Sequence, residues 1–210
     1  TDILKINYFL PKYLSELSIK HKFKLIHVST DQVYFNPKNK LSKESDKIFP
    51  VNKYAKSKIR SENVVKKNKV NLIIRTNFTG KKKTGKDITF IDWLNSHRLK
   101  KKNVINLFND MYTSTIDVKC CAKFIIKLIE LNCSGIYNLG SRYPVSKETF
   151  ALAFFKKMKI KLNYNSISCN SLSVKRSKYL GMCMNKIEKD LGQKMPTLRE
   201  IINSLSLDYK

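Results

Sequence analysis

Tyr54 and Lys58 stand four residues apart in Pro50-Val-Asn-Lys-Tyr-Ala-Lys-Ser-Lys58, a spacing that puts both on one face of a helix. A free phenol has a pKa of about 10, too high for ready proton exchange at neutral pH. A neighbouring ammonium favours the phenolate and lowers that pKa. A tyrosine tuned in this way can give a proton to a carbonyl oxygen as hydride arrives, or remove one in reverse. Upstream, Leu25-Ile-His-Val-Ser-Thr-Asp-Gln-Val-Tyr34 reads as a buried strand that delivers Ser29, Thr30 and Asp31 at its carboxyl end. Open α/β sheets place their ligands at that end, and the Thr30 hydroxyl can hold the same reacting oxygen.

The Tyr-x-x-x-Lys spacing occurs three more times, as Tyr8/Lys12, Tyr34/Lys38 and Tyr143/Lys147. Each of these encloses a proline (Pro11, Pro37, Pro144), which argues against one undistorted helical turn. Only Tyr54/Lys58 falls on a clean helix, predicted over 52–67 with Asn52 as its cap. The surrounding elements alternate. Helices are predicted over 4–20, with Pro11 in its first turns or kinking it, and over 86–101, 115–131, 146–157, 185–191 and 197–205. Strands are predicted over 23–29, 70–75, 103–108 and 135–139. Such alternation predicts an α/β fold with a Rossmann-like parallel sheet, N-terminally incomplete, and a small C-terminal substrate-binding lobe. Residues 1–80 read as the second half of the nucleotide-binding domain. Residues 81–210 read mainly as the substrate lobe, with 115–131 and 135–139 returning to the sheet. The strands at 23–29, 70–75 and 135–139 are expected as parallel neighbours or near neighbours. The absent strands should leave one sheet edge and one helix face bare and apolar.

Across 210 residues, 42 basic against 16 acidic side chains give a formal charge of +26. All but six of the cations are lysines, spread along the chain beside abundant Asn and Ile. That is the mark of A/T-rich codon usage more than of a nucleic-acid face, since net charge governs solubility and non-specific binding rather than fold. A hydrophobic content of 42% is enough to build a core and excludes general disorder. No apolar run reaches transmembrane length, and the first residues lack a signal-peptide pattern. Cys120, Cys121, Cys133, Cys169 and Cys183 form no metal-ligand spacing with His21, His27 or His97, and read as reduced cytosolic thiols. No metal is expected.

The chain resembles an extended short-chain dehydrogenase/reductase, and within that family the dTDP-4-dehydrorhamnose reductase branch. The resemblance rests on the strand ending Ser29-Thr-Asp31 and on Tyr54-x-x-x-Lys58. It extends to Ile74-Arg-Thr-Asn-Phe78, to Gly135-Ile-Tyr-Asn-Leu-Gly140 followed by Ser146, and to the tail Lys175-Arg-Ser-Lys-Tyr-Leu180 … Lys186 … Leu191-Gly … Pro196. It implies NAD(P)-dependent reduction of a nucleotide-activated 4-keto sugar, with Tyr54 as proton donor. Lys58 would tune Tyr54 and bond the nicotinamide ribose. Thr30 would bind the reacting oxygen, and Asp31, Phe78 and Arg176 would face the substrate. Asn7 would support the catalytic group on the cofactor side; a plain surface residue is the alternative at that position. The resemblance further implies NADP or NAD as cofactor, a nucleotide-sugar substrate, a cytoplasmic protein and a homodimer as one assembly. No specific nucleic acid and no membrane are expected as partners.

The sequence departs from the branch in three places. Ser114 stands where the branch usually has Pro, and Phe78 where it often has Trp. The glycines at 80, 85, 135, 140, 181 and 192 cannot make the Gly-x-x-Gly-x-x-Gly turn that receives the cofactor pyrophosphate. The chain alone is therefore not expected to hold a dinucleotide well. A nucleotide-sugar epimerase or dehydratase of the same superfamily is the alternative chemistry, with Asp31 as an added acid/base. A non-catalytic binding subunit and a basic nucleic-acid binder are the alternatives from other classes. His27 reads as a hydrogen-bonded core residue, and Phe150, Phe154 and Phe155 as helical core. Arg75 reads as a phosphate ligand or a structural ion pair, and Tyr34 and Tyr112 as pocket lining or packing.

Overall fold

Local chemistry fixes where the elements begin. Asn52 has extended backbone, and its side-chain oxygen accepts from the Ala55 N–H at 2.8 Å, so the predicted cap opens the Tyr54 helix. The Ser146 hydroxyl does the same for the Thr149 N–H at 3.0 Å, and Thr197 with Glu200 closes a reciprocal capping box. Pro11 distorts its helix as expected. The chain runs as a π-helix over Lys5–Phe9, with the Leu10 N–H bonded to the Lys5 carbonyl, and is α-helical from Leu10. Pro11 has no N–H for the Asn7 carbonyl, and its ring crowds that turn, which widens.

The computed structural model describes residues 4–35, 39–82, 88–99, 104–171 and 177–209. In chain order the helices are α1 (Leu10–Lys20), α2 (Lys53–Val65), α3 (Phe90–Leu99), α4 (Val118–Glu130), α5 (Lys147–Lys157), α6 (Asn185–Leu191) and α7 (Leu198–Leu207). The strands are β1 (Ile26–Val28), β2 (Leu72–Thr76), β3 (Phe78–Thr79), β4 (Ile105–Phe108), β5 (Tyr112–Thr113), β6 (Ile116–Asp117), β7 (Gly135–Leu139), β8 (Val145–Ser146), β9 (Tyr164–Ile167) and β10 (Tyr179–Leu180).

The main sheet runs β1-β2-β7, all parallel, with Ile26 opposite Leu72 and Ile74 opposite Tyr137. The three inner strands read from the sequence are thus direct neighbours. The first is shorter than the span 23–29. Lys22 turns through a left-handed backbone (φ 55°), and the Leu25 N–H goes to the Asn71 side chain instead of a strand. Beyond Gly80 the chain makes small sheets: β4 with β9, and β10-β5-β8. β3 and β6 pair beside them. Ser114 is fully buried between these parts. Its hydroxyl accepts from the Met182 N–H and its carbonyl from the Ser141 N–H. A Cβ on Gly140 would lie 2.4 Å from that carbonyl oxygen, so only glycine lets β7 leave the sheet this close to Ser114.

One core joins sheet and lobe: Leu72, Ile74, Leu128 and Leu139 share a cluster with Ile91, Leu107, Phe150, Phe154 and Ile201. Each large side chain buried there contributes about 1.5–3 kcal/mol. Among the described residues β1 pairs on one side only. Val28 is partly exposed, and Ile6, Phe9 and Tyr13 stand exposed along the first helical segment.

His27 is a core residue, with its Nε2 3.0 Å from the Ser61 hydroxyl. Burial, and then the charge of Lys58, push its imidazole down to about 4, with Glu62 opposing. The folded state therefore prefers the neutral ring. As pH falls below the unfolded value of about 6.5, the unfolded chain takes up the proton first, and stability drains away down to about 4. His27→Gln is expected to remove up to about 3 kcal/mol of acid sensitivity over that window. Urea midpoints of both proteins at pH 7 and 4.5 check this; parallel losses in the two would contradict it.

Candidate active site

The site forms where β1 ends. The Ser29 N–H still bonds the Ile74 carbonyl, at 2.7 Å, and the chain then leaves the sheet. Thr30 is extended, and Asp31–Val33 make a tight turn capped by the Thr30 Oγ1, which accepts from the Gln32 N–H at 3.2 Å. The Gln32 side-chain carbonyl accepts in turn from Asn52 Nδ2 at 3.2 Å. The capping residue of α2 thereby ties the Thr30 loop to the helical turn that carries Tyr54. The Thr30 hydroxyl stands near enough to the Tyr54 phenol to lower its pKa. Tyr54 is 41% exposed at the mouth of the site. Lys58, one turn further on, is buried, and its ammonium donates to the Val28 carbonyl at 2.7 Å. Thr30, Tyr54 and Lys58, singled out from the sequence, gather around one strand end.

The electrostatics differ from expectation. Burial raises the Tyr54 pKa, Asp31 raises it further, and the Thr30 hydroxyl only partly opposes them. Burial also lowers the Lys58 pKa against the pull of Glu62. Burial and the Asp31 carboxylate therefore leave the phenol above its ordinary value, where the spacing to Lys58 predicted a lowering. Tyr54 is held as a neutral acid, the form that donates a proton.

Asp31 lies beneath Thr30 and is fully buried. Its Oδ2 accepts from Asn77 Nδ2 at 2.8 Å and its Oδ1 from the Thr30 hydroxyl at 3.3 Å. Burial pushes the carboxyl up to about 6, opposed by Asn77, Lys147 and Thr30. Phe78 follows Asn77 and is half exposed. Asn7 sits half-buried in the π-helical turn, a segment that packs against α2. Arg176 lies outside the described residues.

Behind the site stands a polar network that the sequence reading only half anticipated. Arg75 is a structural ion pair. Its Nη2 donates to Glu62 Oε2 at 2.7 Å, its Nε reaches both oxygens, and its Nη1 donates to the Tyr34 hydroxyl at 2.8 Å. Tyr34 is a packing residue, fully buried, with its hydroxyl donating to Asn138 Oδ1 at 2.8 Å. Ser29 donates to the same Glu62 carboxylate. Tyr112 stacks obliquely on Tyr179, ring centres 5.7 Å apart. Sequence reasoning missed Glu62, although the i,i+4 spacing Lys58-x-x-x-Glu62 was there to find. It also gave no role to Asn77, Thr115 or Lys147, which no local pattern connects. The cysteines are free thiols. Among the described residues no acidic, His or Cys cluster could hold a metal, and no helix is long and apolar enough to cross a membrane.

The model of the RmlD substrate binding domain family matches residues 2–209. A dTDP-4-dehydrorhamnose reductase of Aggregatibacter actinomycetemcomitans is 38% identical over 69 residues, which are 32% of this chain and 24% of that protein. The probable low-salt glycan biosynthesis reductase Agl14 of Haloferax volcanii is 23% identical over 97% of this chain and 70% of its own length. The crystal structure of dTDP-4-dehydrorhamnose reductase from Bacillus anthracis in complex with NADP superposes with a TM-score of 0.85 at 25% identity, over 96% of this chain and 72% of that one.

Proposed function

We propose that this chain, which belongs to the RmlD substrate binding domain family, carries the catalytic and substrate-binding part of an NAD(P)-dependent reductase of nucleotide-activated 4-keto sugars, of the dTDP-4-dehydrorhamnose reductase type. The observation that carries this reading is the convergence of Thr30, Tyr54 and Lys58 on the carboxyl end of β1.

The donor set suits a nicotinamide ribose. An ammonium has three N–H donors; the Val28 carbonyl takes one of those on Lys58, leaving two for ribose hydroxyls. A nicotinamide cofactor supplies the hydride when bound. The rest of the reaction falls to this chain's residues. Thr30 holds the 4-keto oxygen, Tyr54 gives it a proton as negative charge develops, and Lys58 compensates the phenolate left behind. Phe78 offers an exposed ring to the sugar, and Asp31 acts from below through Thr30. Asn7 supports the Tyr54 helix from the π-helical turn. Arg176 completes the substrate side. In this reading 1–80 form the second half of the cofactor-binding domain, and 81–210 mainly the substrate lobe. The pairing of β7 with β2 supports the return of 135–139 to the sheet.

A catalytically active protein containing this chain, given dTDP-4-keto-6-deoxysugar and NADPH, is expected to oxidise NADPH in step with loss of the keto group. Sugar product formed without net oxidation of cofactor would point to an epimerase or dehydratase and overturn the reductase reading.

A further inference from the structure

A chain of side-chain hydrogen bonds leads from the substrate lobe to Asp31. Asn77 Nδ2 donates to Asp31 Oδ2 at 2.8 Å, so Asn77 Oδ1 faces the other way, where the Thr115 hydroxyl donates to it at 3.1 Å. Having spent its proton on Asn77, the Thr115 oxygen can only accept from its remaining neighbours. These are the Thr113 hydroxyl at 2.8 Å and the Lys147 ammonium at 3.4 Å. Lys147 is the first residue of α5 and also stands 4.8 Å over the Phe90 ring, so its head is held on both sides. Thr113, Thr115 and Asp31 are all buried, where hydrogen bonds and charges act most strongly.

We propose that Lys147 is a positioning residue of the active site, acting on the Asp31 carboxylate from the substrate lobe through Thr115 and Asn77. The relay presents Asp31 Oδ2 with a donor, the Asn77 amide N–H. A proton on Asp31 therefore rests on Oδ1, the oxygen facing Thr30. From there it can pass to Thr30 Oγ1 along their hydrogen bond, and a Thr30 proton turned toward Tyr54 can in turn pass to the phenolate. Asp31 loses one proton and Tyr54 gains one. This deepens the reductase reading and rests on it for its catalytic meaning, but the relay itself can be tested without turnover.

The groups facing Asp31 are Thr30 and Tyr54 on the site side, Asn77 after β2 and Lys147 on α5. The test is a titration of the Asp31 carboxyl carbon by NMR in the 210-residue chain, labelled with 13C at aspartate. Lys147→Met is expected to raise the Asp31 midpoint by roughly half a unit or more, and Lys147→Arg to keep it near the parent value. Thr115→Val, which cuts the relay and leaves the charge, is expected to raise it too, while Thr115→Ser preserves it. Amide spectra confirm folding, and Lys147→Gln replaces Lys147→Met if the latter does not fold. An unmoved midpoint on loss of the Lys147 charge, or in Thr115→Val, overturns the proposal. Neither outcome bears on whether the protein reduces a sugar, so failure of the relay and failure of the reductase reading are told apart.

Discussion

Tyr54→Phe in an active protein containing this chain is expected to lower turnover by roughly 10²–10⁴, the worth of a positioned general acid. Substrate affinity should change little, because the substitution removes one hydroxyl and leaves the ring, the Asn52 cap and the helix intact. Lys58→Met is expected to be as severe and to weaken cofactor binding as well, since it also removes the bond to the Val28 carbonyl that anchors the helix to the end of β1. The other tyrosines of the repeated spacing serve as controls, and the structure says which is the better one. Tyr143 is exposed, and its Lys147 partner points to Thr115. Tyr34 is buried between Arg75 and Asn138, so losing its hydroxyl strands polar partners and costs stability of about 1–3 kcal/mol. Steady-state kinetics decide: an unchanged rate in Tyr54→Phe, or an equal loss in Tyr143→Phe, means that Tyr54 is not the proton donor.

The gathering of Thr30, Tyr54 and Lys58 was legible in the sequence because its parts are local. A strand of apolar residues ends at Thr30, a capped helix presents Tyr54 and Lys58 on one face, and the family resemblance joins the two at one end of the sheet. The caps at Asn52 and Ser146 were legible for the same reason. What escaped depends on contacts between distant segments. Asp31 meets Asn77, and Asn77 meets Thr115, only after β2 and β6 are in place. The direction of the Tyr54 pKa escaped as well. Spacing says that Lys58 is near, but only the fold shows the ammonium turned to a backbone carbonyl and the phenol burdened by burial and by Asp31. Arg75 was ambiguous for a related reason, since a cation after a strand meets either a ligand or a carboxylate, and the carboxylate lay on another element.

That carboxylate carries the largest stability effect expected in the molecule. Glu62 and Arg75 are both 3% exposed in their side chains. Burial works against the Arg75 charge, but the hydrogen bonds and charge of Glu62 outweigh it and hold the guanidinium protonated. Arg75→Met leaves the buried Glu62 carboxylate without its guanidinium, with the Ser29 hydroxyl as its remaining side-chain hydrogen-bond donor among the described residues, and is expected to cost about 3–5 kcal/mol. Glu62→Gln keeps the shape but strands the guanidinium, and a loss of similar size is expected. The double replacement Glu62→Gln with Arg75→Met should cost clearly less than the two single losses together, because it leaves neither charge uncompensated. Urea unfolding of the four proteins measures this. Single losses below about 1 kcal/mol, the range of exposed pairs, would show that water reaches the pair. The consequence reaches the chemistry through two short links. Ser29, held by Glu62, directly precedes Thr30, and Lys58 lies one turn before Glu62 and feels its charge. With Glu62 neutral, the Lys58 pKa loses its opposing pull and falls further, so the ammonium beside the catalytic phenol gives up its proton at a lower pH.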